Sequence, residues 1–95
     1  MGKIELNIYN NETGELQKTY QRQFIPVKLF LRFQKIAEKI IADKIENNEA
    51  VYKSLEPLFL EAFPSLTSAE YYGNVDVAEV LRVFNHIVTE SIKNG

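Results

Sequence analysis

Apolar side chains at Ile4, Leu6 and Ile8 alternate with Lys3, Glu5 and Asn7, the period of two expected of a strand with one buried face. Asn10-Asn11-Glu12-Thr13-Gly14 follows, a cluster of turn formers with a Gly that can take positive φ. Beyond it Leu16, Lys18, Tyr20, Arg22 and Phe24 share one parity. The stems of Lys18 and Arg22 can lie along a sheet edge, which leaves Leu16, Tyr20 and Phe24 to pack. Residues 1–25 therefore predict a β-hairpin. A lone hairpin is marginal in water, so it must lean on a second layer.

That layer is helical. Pro26, preceded by an extended Ile25, suits a first helical turn, and the spacing predicts a helix over 26–47. Leu29, Phe33, Ile36 and Ile40 form one stripe, widened by Phe30, Ala37 and Ile41 to about 140° of the helix surface. Lys28, Arg32, Lys35 and Lys39 fall within about 60° on the other side, and Leu31 fits neither face, so it is expected to be exposed. Asn47-Asn48 breaks the pattern. A second helix over 49–63 buries Val51, Leu55, Leu58, Phe59 and Ala62. It carries Pro57 inside, and because the apolar phase runs through the proline a kinked continuous helix is predicted, ended by Pro64.

Two capping boxes come next. Thr67-Ser68-Ala69-Glu70 opens a short helix over 67–72 that Gly73 closes, and Asp76-Val77-Ala78-Glu79 opens a last helix over 76–92. The buried face of the last helix is expected at Val77, Val80, Leu81, Phe84, Ile87, Val88 and Ser91, with the residues after it fraying. The fold class is thus α+β: an N-terminal hairpin, then three to four helices sharing one core in a single domain over 1–95. An all-helical domain with a loose N-terminal arm is the runner-up.

Composition narrows the function classes. The 95 residues are 45% hydrophobic and 25% charged, which is globular rather than disordered. No cysteine means no disulfide framework, thiolate zinc site or cysteine nucleophile. A net charge of −2 argues against a nucleic-acid binder, and the short apolar runs argue against a membrane span or signal peptide, so a soluble cytoplasmic protein is expected. The charge is polarised, however. Residues 27–47 hold five Lys or Arg against three Asp or Glu, whereas residues 48–95 hold three against seven.

Catalytic chemistry finds little support. His86 is the only imidazole; it reads as a surface histidine on the last helix, with Glu90 one turn on as its natural partner. The carboxylates read as solvated or capping residues, and no phosphate-binding, zinc-protease or nucleophile-elbow motif is present. Neither an enzyme nor a cofactor or metal site is expected. The candidate site residues are instead those of a partner surface. They are the cations Lys28, Arg32, Lys35 and Lys39, the leftover Leu31, and Tyr71-Tyr72, which cannot both be buried on a short helix. The cations suit an acidic partner or self-association with the acidic C-terminal half, and their ordinary reading is a solvated helix face.

Three stretches in order carry a resemblance. The first is Lys18-Thr19-Tyr20 with Phe24-Ile25-Pro26 and the Leu31-Arg32 step. The second is Leu58-Phe59-Leu60-Glu61-Ala62-Phe63. The third is Tyr71-Tyr72-Gly73-Asn74-Val75-Asp76 running into Val80-Leu81 and Ile87-Val88-Thr89-Glu90. Over nearly the whole chain this resembles the tail assembly chaperones of long, non-contractile-tailed phages and prophages of Gram-positive bacteria. The resemblance implies a non-enzymatic viral assembly factor that coats tape measure protein, helps recruit tail tube protein and is absent from the mature virion. It also implies residence in the host bacterial cytoplasm and a longer frameshifted form continuing from near Lys93-Asn94-Gly95, whose extension engages the tube protein. No catalytic residue comes with it. Another small phage protein-interaction module, such as a head–tail connector or a protein-binding regulator, is the alternative.

Overall fold

A computed structural model describes the backbone of residues 3–43 and 49–94 and the side chains of residues 3–40 and 49–89. Strand β1 (Ile4–Tyr9) pairs antiparallel with β2 (Leu16–Arg22), and four helices follow: α1 (Val27–Asp43), α2 (Glu49–Ala62), α3 (Ser68–Gly73) and α4 (Val77–Asn94). This is the α+β arrangement expected from the alternation of periods. The Asn47-Asn48 break, the Ile41, Glu90 and Ser91 side chains and the terminal Gly95 lie outside the described residues.

The hairpin forms because its turn satisfies itself. The Asn10 side chain accepts the Glu12 and Thr13 N–H groups at 2.8 and 3.0 Å, Gly14 donates to the Asn10 carbonyl, and Asn10 donates to that of Glu15. Gly14 has φ 78°, so Gly14→Ala is expected to cost about 1 kcal/mol through the left-handed strain of a Cβ. Gly73 behaves oppositely. It is the last residue of α3 rather than a left-handed cap, because Asn74 takes the C-cap position at φ −129° and donates to the Glu70 carbonyl. A Cβ there would meet only the Asn11 amide at 3.9 Å, so Gly73→Ala should gain about 0.5–1 kcal/mol. Thermal melts of the two variants should move in opposite directions.

Ile4, Leu6 and Ile8 are fully buried, so β1 supplies the inner face of the sheet as its alternation requires. β2 departs from expectation. Tyr20 packs against the core, but Leu16 is 57% and Phe24 63% exposed. The register explains Leu16: Ile8 pairs with Lys18 but Tyr9 with Leu16, so an extra residue at Gln17 turns Leu16 onto the outward face that Tyr9 occupies. Phe24 lies past the end of the strand, where the Arg22 guanidinium stands 5.7 Å from its ring centre.

The helices cover that inner face. α4 packs on β1, α1 packs on α2 and α4, and α3 packs on α2. All five apolar positions read for α2 are buried, and the helix runs unbroken through Pro57, which is exposed. Its missing N–H falls on the solvent side, where water can serve the carbonyl one turn back. In α1, Leu29 and Phe33 are buried and Ile36, Ala37 and Ile40 partly so. In α4 the buried face is rotated from the expected one: Val77 is more than half exposed, Leu81 only half-buried, and Val83 is fully buried together with Val80, Phe84 and Ile87. The core centres on aromatic rings. Phe59 meets Phe33 edge-on at 5.9 Å, Phe63 at 6.4 Å and Tyr71 at 5.6 Å, while Phe33 also meets Phe84 at 6.3 Å.

Polar side chains join the layers. Thr67 and Glu70 form the expected reciprocal cap, and Glu70 also pairs with Lys18 at 2.8 Å and accepts the Tyr20 hydroxyl at 2.9 Å. The hydrogen bond from Lys18 is the main reason the Glu70 carboxyl sits below its ordinary range, and Glu70 in turn raises Lys18. Arg22 donates to the Glu61 and Ala62 carbonyls at the end of α2, where free carbonyls and the helix dipole favour a cation. The second expected capping box does not form. Asp76 accepts the Ala78 N–H, but the Glu79 carboxylate does not reach back to the Asp76 N–H; it is buried against β1, where it accepts the Asn7 N–H at 2.7 Å.

Candidate functional site

The outward face of α1 combines the charge and the apolar surface of the expected partner site. Lys28, Lys35 and Lys39 are exposed, as their position opposite the Leu29–Phe33 stripe requires, and none has an ion-pair partner among the described residues. Arg32 differs. It pairs with Glu61 of α2, so it fastens the two helices together and is less available to a partner. Leu31 is 53% exposed, as expected, and Val27 beside it is 74% exposed. These two lie one turn apart, and the helical angle sets them directly beside the lysines. The signal for Val27 was present in the sequence, since it falls about 160° from Leu29 and about 140° from Ile40 on the helical wheel.

The tyrosine pair divides. Tyr71 is 3% exposed; its ring packs on Phe59 and its hydroxyl donates to the Tyr52 carbonyl at 2.7 Å. Burial, the largest influence on it, pushes its phenol above the ordinary value. Tyr71 therefore cannot offer a free side chain to a partner, which corrects its place among the candidate residues. Tyr72 remains, 53% exposed, its ring edge-on to Tyr71 at 4.9 Å and its hydroxyl donating to Glu56 at 2.8 Å. Ser68 also donates to Glu56, and these two hydroxyls hold the Glu56 carboxyl below its ordinary range. Tyr72 lines a shallow apolar hollow with Tyr52, Tyr71, Val75, Val77 and Val80. This hollow is lined by α2, α3, α4 and the α3–α4 connection and by none of the α1 cations, so the sequence-derived candidates occupy two separate surfaces.

His86 is half-buried rather than a surface residue, and its Nε2 is shielded from solvent without a hydrogen-bond partner among the described residues. No group of three or more His, Asp or Glu among the described residues could hold a metal ion. A cleft runs between the hairpin turn and the α3–α4 connection and is lined by Tyr9, Asn10, Asn11, Gly14, Gly73, Asn74, Val75 and Asp76. Asn11 and Asn74 spend their amide donors there on the Gly73 and Tyr9 carbonyls, so the cleft reads as a structural seam. No helix among the described residues is long and apolar enough to cross a membrane.

One polar arrangement is absent from the sequence-derived candidates, the Glu79–Arg82 pair. Arg82 donates to both Glu79 oxygens, at 2.9 and 2.6 Å, and to the Glu5 carbonyl at 2.7 Å. The i,i+3 spacing was legible as an ordinary helix-surface pair, but nothing local shows that it faces a strand. The chain matches no family model, no curated protein and no solved structure.

Proposed function

We propose that the chain is a non-enzymatic tail assembly chaperone of a long-tailed phage or prophage, binding tape measure protein while the tail is built. The observation that carries this reading is the outward face of α1, where exposed Val27 and Leu31 lie beside Lys28, Lys35 and Lys39. An apolar strip flanked by cations fits an amphipathic helix with an acidic margin, which is what a long client helix offers to a protein that keeps it from aggregating. Each contact is small, so many copies along one client would supply retention through avidity. Recruitment of tail tube protein by a longer frameshifted form, residence in the bacterial cytoplasm and absence from the finished particle belong to the same proposal.

The test is co-expression with tape measure protein. The wild-type chain should co-purify with it, and Leu31→Glu combined with Lys28→Glu, Lys35→Glu and Lys39→Glu should reduce capture by about tenfold or more. Arg32 is kept in this variant because it pairs with Glu61, so that folding and binding are not confounded. Undiminished capture would remove the α1 face from the proposal. Finding the chain in purified virions would favour a structural connector instead.

A further inference from the structure

The two edges of the hairpin are treated differently. On β1 the backbone groups that point away from β2 belong to Glu5, Asn7 and Tyr9, and each of these residues has at least one of them bonded. The Glu5 carbonyl accepts from Arg82, the Asn7 N–H donates to Glu79, the Tyr9 N–H donates to the Asn74 carbonyl, and the Tyr9 carbonyl accepts from the Asn74 amide. The pairings Asn7 with Thr19 and Glu5 with Gln21 place the backbone groups of Thr19 and Gln21 on the opposite edge, pointing outward. No hydrogen bond among the described residues uses them. An edge left open in this way is a template for another strand.

We infer that β2 pairs with β2 of a second copy of this chain, antiparallel about a two-fold axis at Tyr20, giving a continuous four-stranded sheet. The commitment to a second copy comes from the register. With the axis at Tyr20, Thr19 of each copy faces Gln21 of the other, and these are the outward groups of the regular part of the strand. Leu16 and Phe24, both exposed, flank the regular segment on its two sides, so the two-fold operation brings the Leu16 end of one copy toward the Phe24 end of the other. The same operation brings the hairpin-turn end of one copy, with exposed Glu12 and Glu15, toward the end of the neighbour that carries Arg22 and Lys28. None of Glu12, Glu15 and Lys28 has an ion-pair partner among the described residues. Opposed to the pairing is the approach of Lys18 and Arg22 across the axis; Lys18 is held by Glu70, and Arg22 by carbonyls of α2. The bulge at Gln17 limits the ladder to the segment around Thr19 and Gln21, so a reversible dimer is expected. The α1 face is not used, so this inference stands apart from the client-binding proposal.

Sedimentation velocity and light scattering over a wide protein concentration range test it. The chain should show a concentration-dependent monomer–dimer equilibrium. Thr19→Glu with Gln21→Glu brings like charges into register twice and should raise the dimer dissociation constant about tenfold. Thr19→Lys with Gln21→Glu loses the same Thr19 hydroxyl but places opposite charges in register, and it should restore dimerisation. A wild-type chain that stays monomeric at every concentration overturns the inference. So does a dimer that the two double variants affect equally, because that dimer would use another surface or register.

Discussion

Phe59→Ala is expected to destabilise the protein by about 3–5 kcal/mol, enough to unfold much of the population at physiological temperature. Phe59 is fully buried and touches three other rings, on α1, on α3 and in the turn after α2. Truncation removes the transfer free energy of the side chain and leaves a cavity whose walls belong to separate elements, so no single element can close it by shifting. Urea unfolding followed by circular dichroism measures the loss directly. Phe30→Ala is the internal comparison. Phe30 is only partly buried, on the rim of the α1 stripe, so it should lose clearly less. Equal losses would contradict the placement of Phe59 at the centre of the core.

Glu79→Ala is expected to cost about 2 kcal/mol, an unusual penalty for a charged residue on a helix. The loss comes from what remains. The Asn7 N–H, part of the edge of β1, loses its acceptor, and Arg82 keeps only the Glu5 carbonyl. Arg82 is half exposed, which holds the figure below that for a fully buried pair. The same residue gives a pH dependence. Burial alone would raise the Glu79 carboxyl, but hydrogen bonds from Arg82 and from the Asn7 N–H outweigh it and leave the pKa below the ordinary 4.5. Glu56 and Glu70 are also held below 4.5. A carboxylate whose folded pKa is depressed contributes stability that is present above its unfolded value and is lost as pH falls through its folded value. The protein should therefore lose stability progressively once the pH drops below about 4.5, and Glu79→Ala should flatten that decline. A melting temperature that stays constant through the acid range would contradict these assignments.

The elements that were legible in advance share one property: their signal is local. The alternation at Ile4, Leu6 and Ile8, the stripe from Val51 to Ala62, the Thr67–Glu70 cap and the stranded position of Leu31 all follow from backbone period and from hydrogen bonds within a few residues. The cationic ridge of α1 was legible for the same reason, because a helix with one apolar stripe must show its other face to solvent. What distinguishes Arg32 from Lys28, Lys35 and Lys39 is Glu61, twenty-nine positions away on another helix, and no periodicity carries that.

Tyr71 and Tyr72 could be separated only by the packing of α3 on α2, since two adjacent positions on a short helix leave both orientations open until a neighbour covers one. The order and kind of the elements, the inward face of β1 and α2, and the placement of the cations follow from the residue pattern, because these depend on backbone geometry that repeats every two or 3.6 residues. Long-range packing decided that Leu16 faces outward, that α4 buries Val83 instead of Val77, and that the Glu79 carboxylate serves the edge of β1 as well as Arg82. Each of those depends on a contact between residues far apart in the chain. The free energy of closing a bulge, rotating a helix or desolvating a carboxylate is set by the partner it meets, and the local pattern does not name that partner.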